Sequence, residues 1–145
     1  MTKKIDPLFV SALYYGINKG INNIIGSGGK VLGRIVSKEI ITFLEEFGIK
    51  NVDIKKLFTE IFGLAEDLKI VEDDEKVIFT VVNPTLKEFL KKSMEEKIQL
   101  YICPFIHLLS ELYSKDKDYK LMLLNVEPIS ENEVNLIFKK VKRNE

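Results

Sequence analysis

The chain has 145 residues, 46% apolar and 30% charged, a balance that suits one packed domain and excludes global disorder. Lys plus Arg and Asp plus Glu both number 22, so no basic excess points to nucleic acid. One Cys and one His exclude a disulfide framework or a zinc finger within the chain.

No apolar run approaches the ~18 residues of a membrane span, and Met1-Thr2-Lys3-Lys4-Ile5-Asp6 lacks a signal-peptide core. The expectation is a cytoplasmic protein with no membrane span. Only two of the 22 basic residues are Arg, so little is invested in bidentate phosphate or carboxylate recognition.

Asp6-Pro7 is a helix start: a capping carboxylate, then proline at the first helical position. Leu8, Phe9, Ala12, Leu13, Ile17, Ile21, Ile24 and Ile25 recur at helical spacing and predict a helix over residues 7–25. Gly26-Ser27-Gly28-Gly29 breaks it. A second helix carries Val31, Leu32, Ile35, Val36, Ile40, Phe43, Leu44 and Phe47, and Gly48 stops it. Asn51-Val52-Asp53 caps a third, through Ile54, Leu57, Phe58, Ile61 and Phe62.

The period then changes. Residues 68–72 and 76–82 predict a hairpin with an acidic tip at Asp73-Asp74-Glu75, and the nearly unbroken apolar run Val77 to Val82 predicts a central strand. A helix follows through Leu86, Phe89, Leu90, Met94 and Ile98, kinked or restarted at Pro104. Residues 121–126 and 134–141 predict a second hairpin. The predicted fold is α+β: an antiparallel sheet of about four strands in two hairpins, helices on one face, and an N-terminal helical region. We read one domain over residues 1–145, with helix and glycine hinge to about residue 30 and the α+β body over 31–141.

The glycine cluster fails as a phosphate loop, because Ile24 and Val31 stand where a P-loop needs Gly and Ser or Thr. An interhelical hinge is the simpler reading. Gly16 and Gly20, like Gly29 and Gly33, lie four apart inside helices, where each costs ~1 kcal/mol relative to alanine. That cost implies close approach by a neighbouring backbone, a subunit or a ligand. Cys103, His107 and Glu111 share one helix face, and Cys103 could cap the helix with a lowered thiol pKa. Four-residue spacing rarely converges a nucleophile and its base, so buried structural roles compete with catalysis. Tyr14 and Tyr15 line a pocket or ordinary core.

In order of segments the chain resembles the 4-vinyl reductase domain family, related to small subunits of the Golgi transport-particle (TRAPP) complex. The matching pieces are Val31-Leu32-Gly33-Arg34 through Phe47-Gly48, residues 64–71 and residues 77–83. Cys103-Pro104-Phe105-Ile106, Leu123-Leu124-Asn125-Val126-Glu127 and residues 134–138 complete them, within residues 8–141. The resemblance implies a small-molecule binding domain for hydrophobic ligands, with Cys103 the position carried over. His107 and Glu111 stand where the family often has small glycines. The cysteines of the family's final hairpin are missing, as Glu127 is followed by Pro128, Ile129 and Ser130, so metal binding is not carried over.

The leading expectation is a non-enzymatic homodimer that binds or senses a small apolar molecule, with no cofactor, metal or catalytic residue. Cys103, His107, Phe105, Tyr14 and Gly33 are its ligand-binding candidates. The alternative is a structural or adaptor protein acting through protein–protein association, with Gly16, Gly20 and the first helix at its interface. A third reading is a thiol enzyme using Cys103 and His107.

Overall fold

The computed structural model describes residues 4–25 and 28–143. Helix α1 spans Pro7–Ile24, with the Asp6 carboxylate accepting from the Leu8 N–H at 2.8 Å. Helix α2 spans Gly29–Glu46 and stops at Gly48, whose φ of 87° is open to glycine at little cost. The Gly26-Ser27 part of the expected hinge lies outside the described residues. Helix α3, Ile54–Lys56, is capped by Asp53 and runs into a π-helical turn, Leu57–Ile61, that buries Leu57 and Phe58.

Strands β1 (Asp67–Glu72) and β2 (Lys76–Val82) form the first hairpin, whose acidic tip is tied by Asp73 accepting from the Glu75 and Lys76 amides. Helix α4 is Lys87–Glu95. Helix α5 restarts at Pro104 and runs to Tyr113, separated from α4 by an irregular connection over residues 97–103. Strands β3 (Tyr119–Ser130) and β4 (Glu133–Lys142) form the second hairpin. All pairings are antiparallel in the order β1-β2-β4-β3, so β2 is central as expected. The sequence-predicted α+β architecture is the observed one. The second hairpin is longer than expected, and Pro128 sits in the edge strand β3, where a missing N–H costs the ladder little.

One face of the sheet presents Leu68, Val77, Phe79, Val81, Val134, Leu136 and Phe138 to Phe89 and Leu90 of α4 and Phe105 and Leu109 of α5. Phe79 packs edge-on against Phe138 and Tyr113, with centroids 5.5 and 5.2 Å away. Helices α1 and α2 form a further layer: α1 lies on α4 and α2 on α5. These two outer helices differ from an ordinary amphipathic helix in what they bury. The buried residues are Ser11 and Asn18 on α1, and Gly29, Gly33 and Ser37 on α2. Phe9, Leu13, Ile17 and Ile24 on α1 and Val31, Ile35 and Phe43 on α2 are exposed, whereas the half-buried Val10, Tyr14 and Tyr15 pack against the core.

Candidate functional site

Asparagines of α1 organise the inner side of this layer. The buried Asn18 side chain donates through Nδ2 to the carbonyls of Tyr14 and Ile102, at 2.8 and 2.7 Å. Its Oδ1 accepts from the Tyr101 and Ile102 amides at 2.8 and 3.0 Å. One turn on, Asn22 donates to the Gln99 carbonyl at 3.0 Å and accepts from its amide at 3.1 Å. Residues 97–103 belong to no strand, so these two side chains supply the partners their backbone lacks. Lys19 and Lys92 beside Glu96, joined by the Tyr15 hydroxyl, hold that carboxyl down at about 2 and pin α1 to the end of α4.

The same connection sets the distance of α2. A Cβ on Gly33 would lie 2.7 Å from the Tyr101 carbonyl oxygen, and one on Gly29 2.5 Å from the Tyr101 ring. Close approach at these glycines is therefore made by the chain's own backbone and a tyrosine. A Cβ on Gly16 or Gly20, which have the same spacing, would meet no other described residue within 4 Å.

Cys103 is the residue before α5, fully buried, and its carbonyl accepts the His107 amide at 3.0 Å. Burial pushes its thiol up to about 12, opposite to the lowered pKa that a catalytic cap requires. His107 is buried and hydrogen-bonds through Nδ1 to Ser37 Oγ of α2, rather than to Cys103 or Glu111. Its Nε2 has no partner among the described residues, and burial lowers its pKa to about 4. Phe105 packs on Phe58 at 5.7 Å, and the half-buried Tyr14 packs on Phe89 at the same separation. Burial, then the neighbouring Cys103, raises the Tyr14 pKa.

Cys103, Phe105 and Tyr14 thus belong to the core and its fringe, His107 joins α5 to α2, and Gly33 touches Tyr101. The thiol-enzyme reading fails on the buried, strongly basic thiol and on His107 being turned to Ser37. Iodoacetamide at pH 8 is expected to leave native Cys103 unmodified and to label it in urea, as intact mass would show. Sequence reasoning missed Asn18, Asn22, Ser37 and Tyr101. The Asn pair at i and i+4 was the available signal.

His107 also makes stability pH-dependent. Its ordinary pKa is 6.5 and its folded value about 4, so between them the unfolded chain binds the extra proton. Stability is complete above pH 6.5 and falls by about 2–3 kcal/mol as the pH drops towards 4. His107 is the chain's one histidine, so it sets the slope between pH 6.5 and 5. Urea denaturation across that range measures the slope, and His107→Gln is expected to flatten it.

The outer side is apolar. Phe9, Leu13, Ile17 and Ile24 on α1, Val31, Ile35 and Phe43 on α2, and Phe47 at the C-cap of α2 are exposed by between 37% (Ile17) and 85% (Ile24). Gly16 and Gly20 fall on the same stripe of α1. Ile35, Val36, Glu39, Ile40, Phe43 and Leu44 line a shallow groove of about 330 Å³ on α2. A recess of about 380 Å³ between the hairpins is lined by Asp74, Glu75, Lys76, Leu124, Lys139 and Lys140. Neither touches Cys103, Phe105, His107, Tyr14 or Gly33. Among the described residues, no group of three or more His, Cys, Asp and Glu is placed to hold a metal ion. No described helix is long and apolar enough to cross a membrane.

The chain is 57% identical to the uncharacterized protein MJ0758 of Methanocaldococcus jannaschii over 147 residues, covering 97% of this chain and 92% of that one. It belongs to the MJ0758 family. No family model matches the chain, and no solved structure matches it.

Proposed function

We propose that the chain is a non-enzymatic association module, in which a protein surface covers the outward apolar faces of α1 and α2. The observation that carries this reading is the exposed apolar surface of the two helices: their fully buried positions are Ser11, Asn18, Gly29, Gly33 and Ser37, while eight large apolar side chains on or at the end of them face out. Scattered exposed apolar residues are ordinary, but stripes at i and i+4 along two helices are contiguous surface. Covering a Phe or Ile side chain of this kind contributes about 1.5–3 kcal/mol. Gly16 and Gly20, open within the chain, let the covering surface approach α1 closely.

A photo-crosslinking phenylalanine analogue at position 13 or 43 is expected to give one discrete protein adduct in the producing cell. The same analogue at the exposed sheet position 71 is expected to give none. No adduct at 13 and 43, or an equal yield at all three, would overturn the reading.

A small apolar ligand beside Cys103 and His107 is the second reading, favoured by the unpartnered Nε2 of His107. Native mass spectrometry of gently purified protein, followed by organic extraction, tests it. A reproducible small-molecule adduct lost in His107→Gln would support it, and bare polypeptide would count against it.

A further inference from the structure

We infer that α2 is an acid-released flap: protonation of His107 lifts it from α5 while the rest of the domain stays folded. Nothing in this depends on what covers the outer face of α2. The fully buried positions of α2 are Gly29, Gly33 and Ser37, so none of its large side chains is sunk in the core. Helix α5 is the opposite case, burying Phe105, Ile106, Leu108 and Leu109 together with His107. Among the described residues, Ser37 to His107 is the one hydrogen bond between α2 and the rest of the domain. Glu45 adds an ion pair with Lys115 at 3.2 Å, which holds little because it lies at the surface.

Charge on His107 breaks this seat, and the packing decides which helix yields. The neutral ring is bonded to Ser37 through Nδ1 and leaves Nε2 without a partner among the described residues. The protonated ring carries an N–H at both nitrogens, so the interface would hold an unpaired donor and a buried charge. Burial is the single cause that lowers the His107 pKa to about 4, so no neighbouring charge offsets it. Along α5, Cys103 keeps its proton, and Glu111 lies one turn on while His107 is bonded to Ser37 instead. Arg34, Lys38 and Glu39, beside Ser37 on α2, are exposed. So are Lys55 and Lys56 on α3 and Lys120 and Glu127 on β3, elements that also pack on α5. Water is what the imidazolium can reach, and α2 moves to admit it because α5 is anchored in the core.

Once α2 is released, His107 regains its ordinary pKa of 6.5, so release is favoured progressively as the pH falls below that value. Between pH 7 and pH 5 the opening equilibrium is expected to rise about 20-fold. Released α2 is a lone helix of 18 residues that has lost the packing it depends on, so its amides exchange once it leaves α5. Hydrogen exchange of the full chain, read by mass spectrometry and corrected for intrinsic rates, tests this. Amides of residues 33–45 are expected to open more readily than those of β2 and α5 at both pH values, and to show that rise. Exchange in α2 no faster than in β2 would mean that only global unfolding frees it, and overturns the flap. Local opening of α2 that is equal at pH 7 and pH 5 overturns its control by His107. In folded His107→Gln the α2 amides are expected to lose the pH dependence, and keeping it overturns the same control. The wild-type comparison decides the matter by itself where that variant does not fold.

Discussion

Asn18→Leu is expected to destabilise the chain by about 4 kcal/mol and to loosen α1 from residues 97–103. Leucine nearly matches asparagine in size, so the loss is one of hydrogen bonding. The Tyr101 and Ile102 amides and the Ile102 carbonyl all lose their Asn18 partner. Each buried backbone group left unpaired costs about 1–3 kcal/mol. Urea denaturation gives the magnitude, and amide hydrogen exchange at Tyr101 and Ile102 gives the location. A loss under about 1 kcal/mol with both amides still protected would contradict this role for Asn18.

Gly33→Val is expected to cost about 3 kcal/mol or more, because the new Cβ meets a backbone oxygen at 2.7 Å that no rotamer change can move. Helix α2 then has to lift away from residues 97–103, straining the Ser37–His107 hydrogen bond one turn further on. Gly16→Ala, at a position with nothing within 4 Å, is expected to gain about 1 kcal/mol from helix propensity. Thermal denaturation of the two variants therefore gives shifts of opposite sign. Equal signs would mean that the contact between Gly33 and Tyr101 does not set the position of α2.

Those two glycines illustrate what the sequence could reveal. Both were readable as helical positions carrying an unexplained cost, but spacing alone could not tell a contact within the chain from an open surface. The hairpins were legible because alternation and turn residues are local signals, and Asp6-Pro7 marked the start of α1 for the same reason. The apolar stripes of α1 and α2 were equally clear, yet periodicity reports that a face is apolar and not what it faces. The fully buried positions of these helices are polar or glycine, and only the tertiary arrangement shows Asn18 bonding a strandless backbone. Cys103 was legible as the residue before Pro104 and His107 as a position on the helix that Pro104 starts. Their partners, the core and Ser37, come from distant segments that no local pattern connects.

The strand order β1-β2-β4-β3 has a consequence for how the polypeptide is made. A growing chain releases β1 and β2 early, and they can pair at once. Strand β3 emerges next with no free neighbour in the sheet, because the strand that joins it to β2 follows it. Until β4 inserts, β2 keeps an unpaired edge, and the neighbouring Val77, Phe79 and Val81 lack the Val134, Leu136 and Phe138 layer. That interval is when a nascent copy is most open to strand exchange with another nascent copy. Insertion of β4 between its two neighbours ends it, so the hydrogen-bonded sheet and most of its protection from misassembly arrive in a single late event.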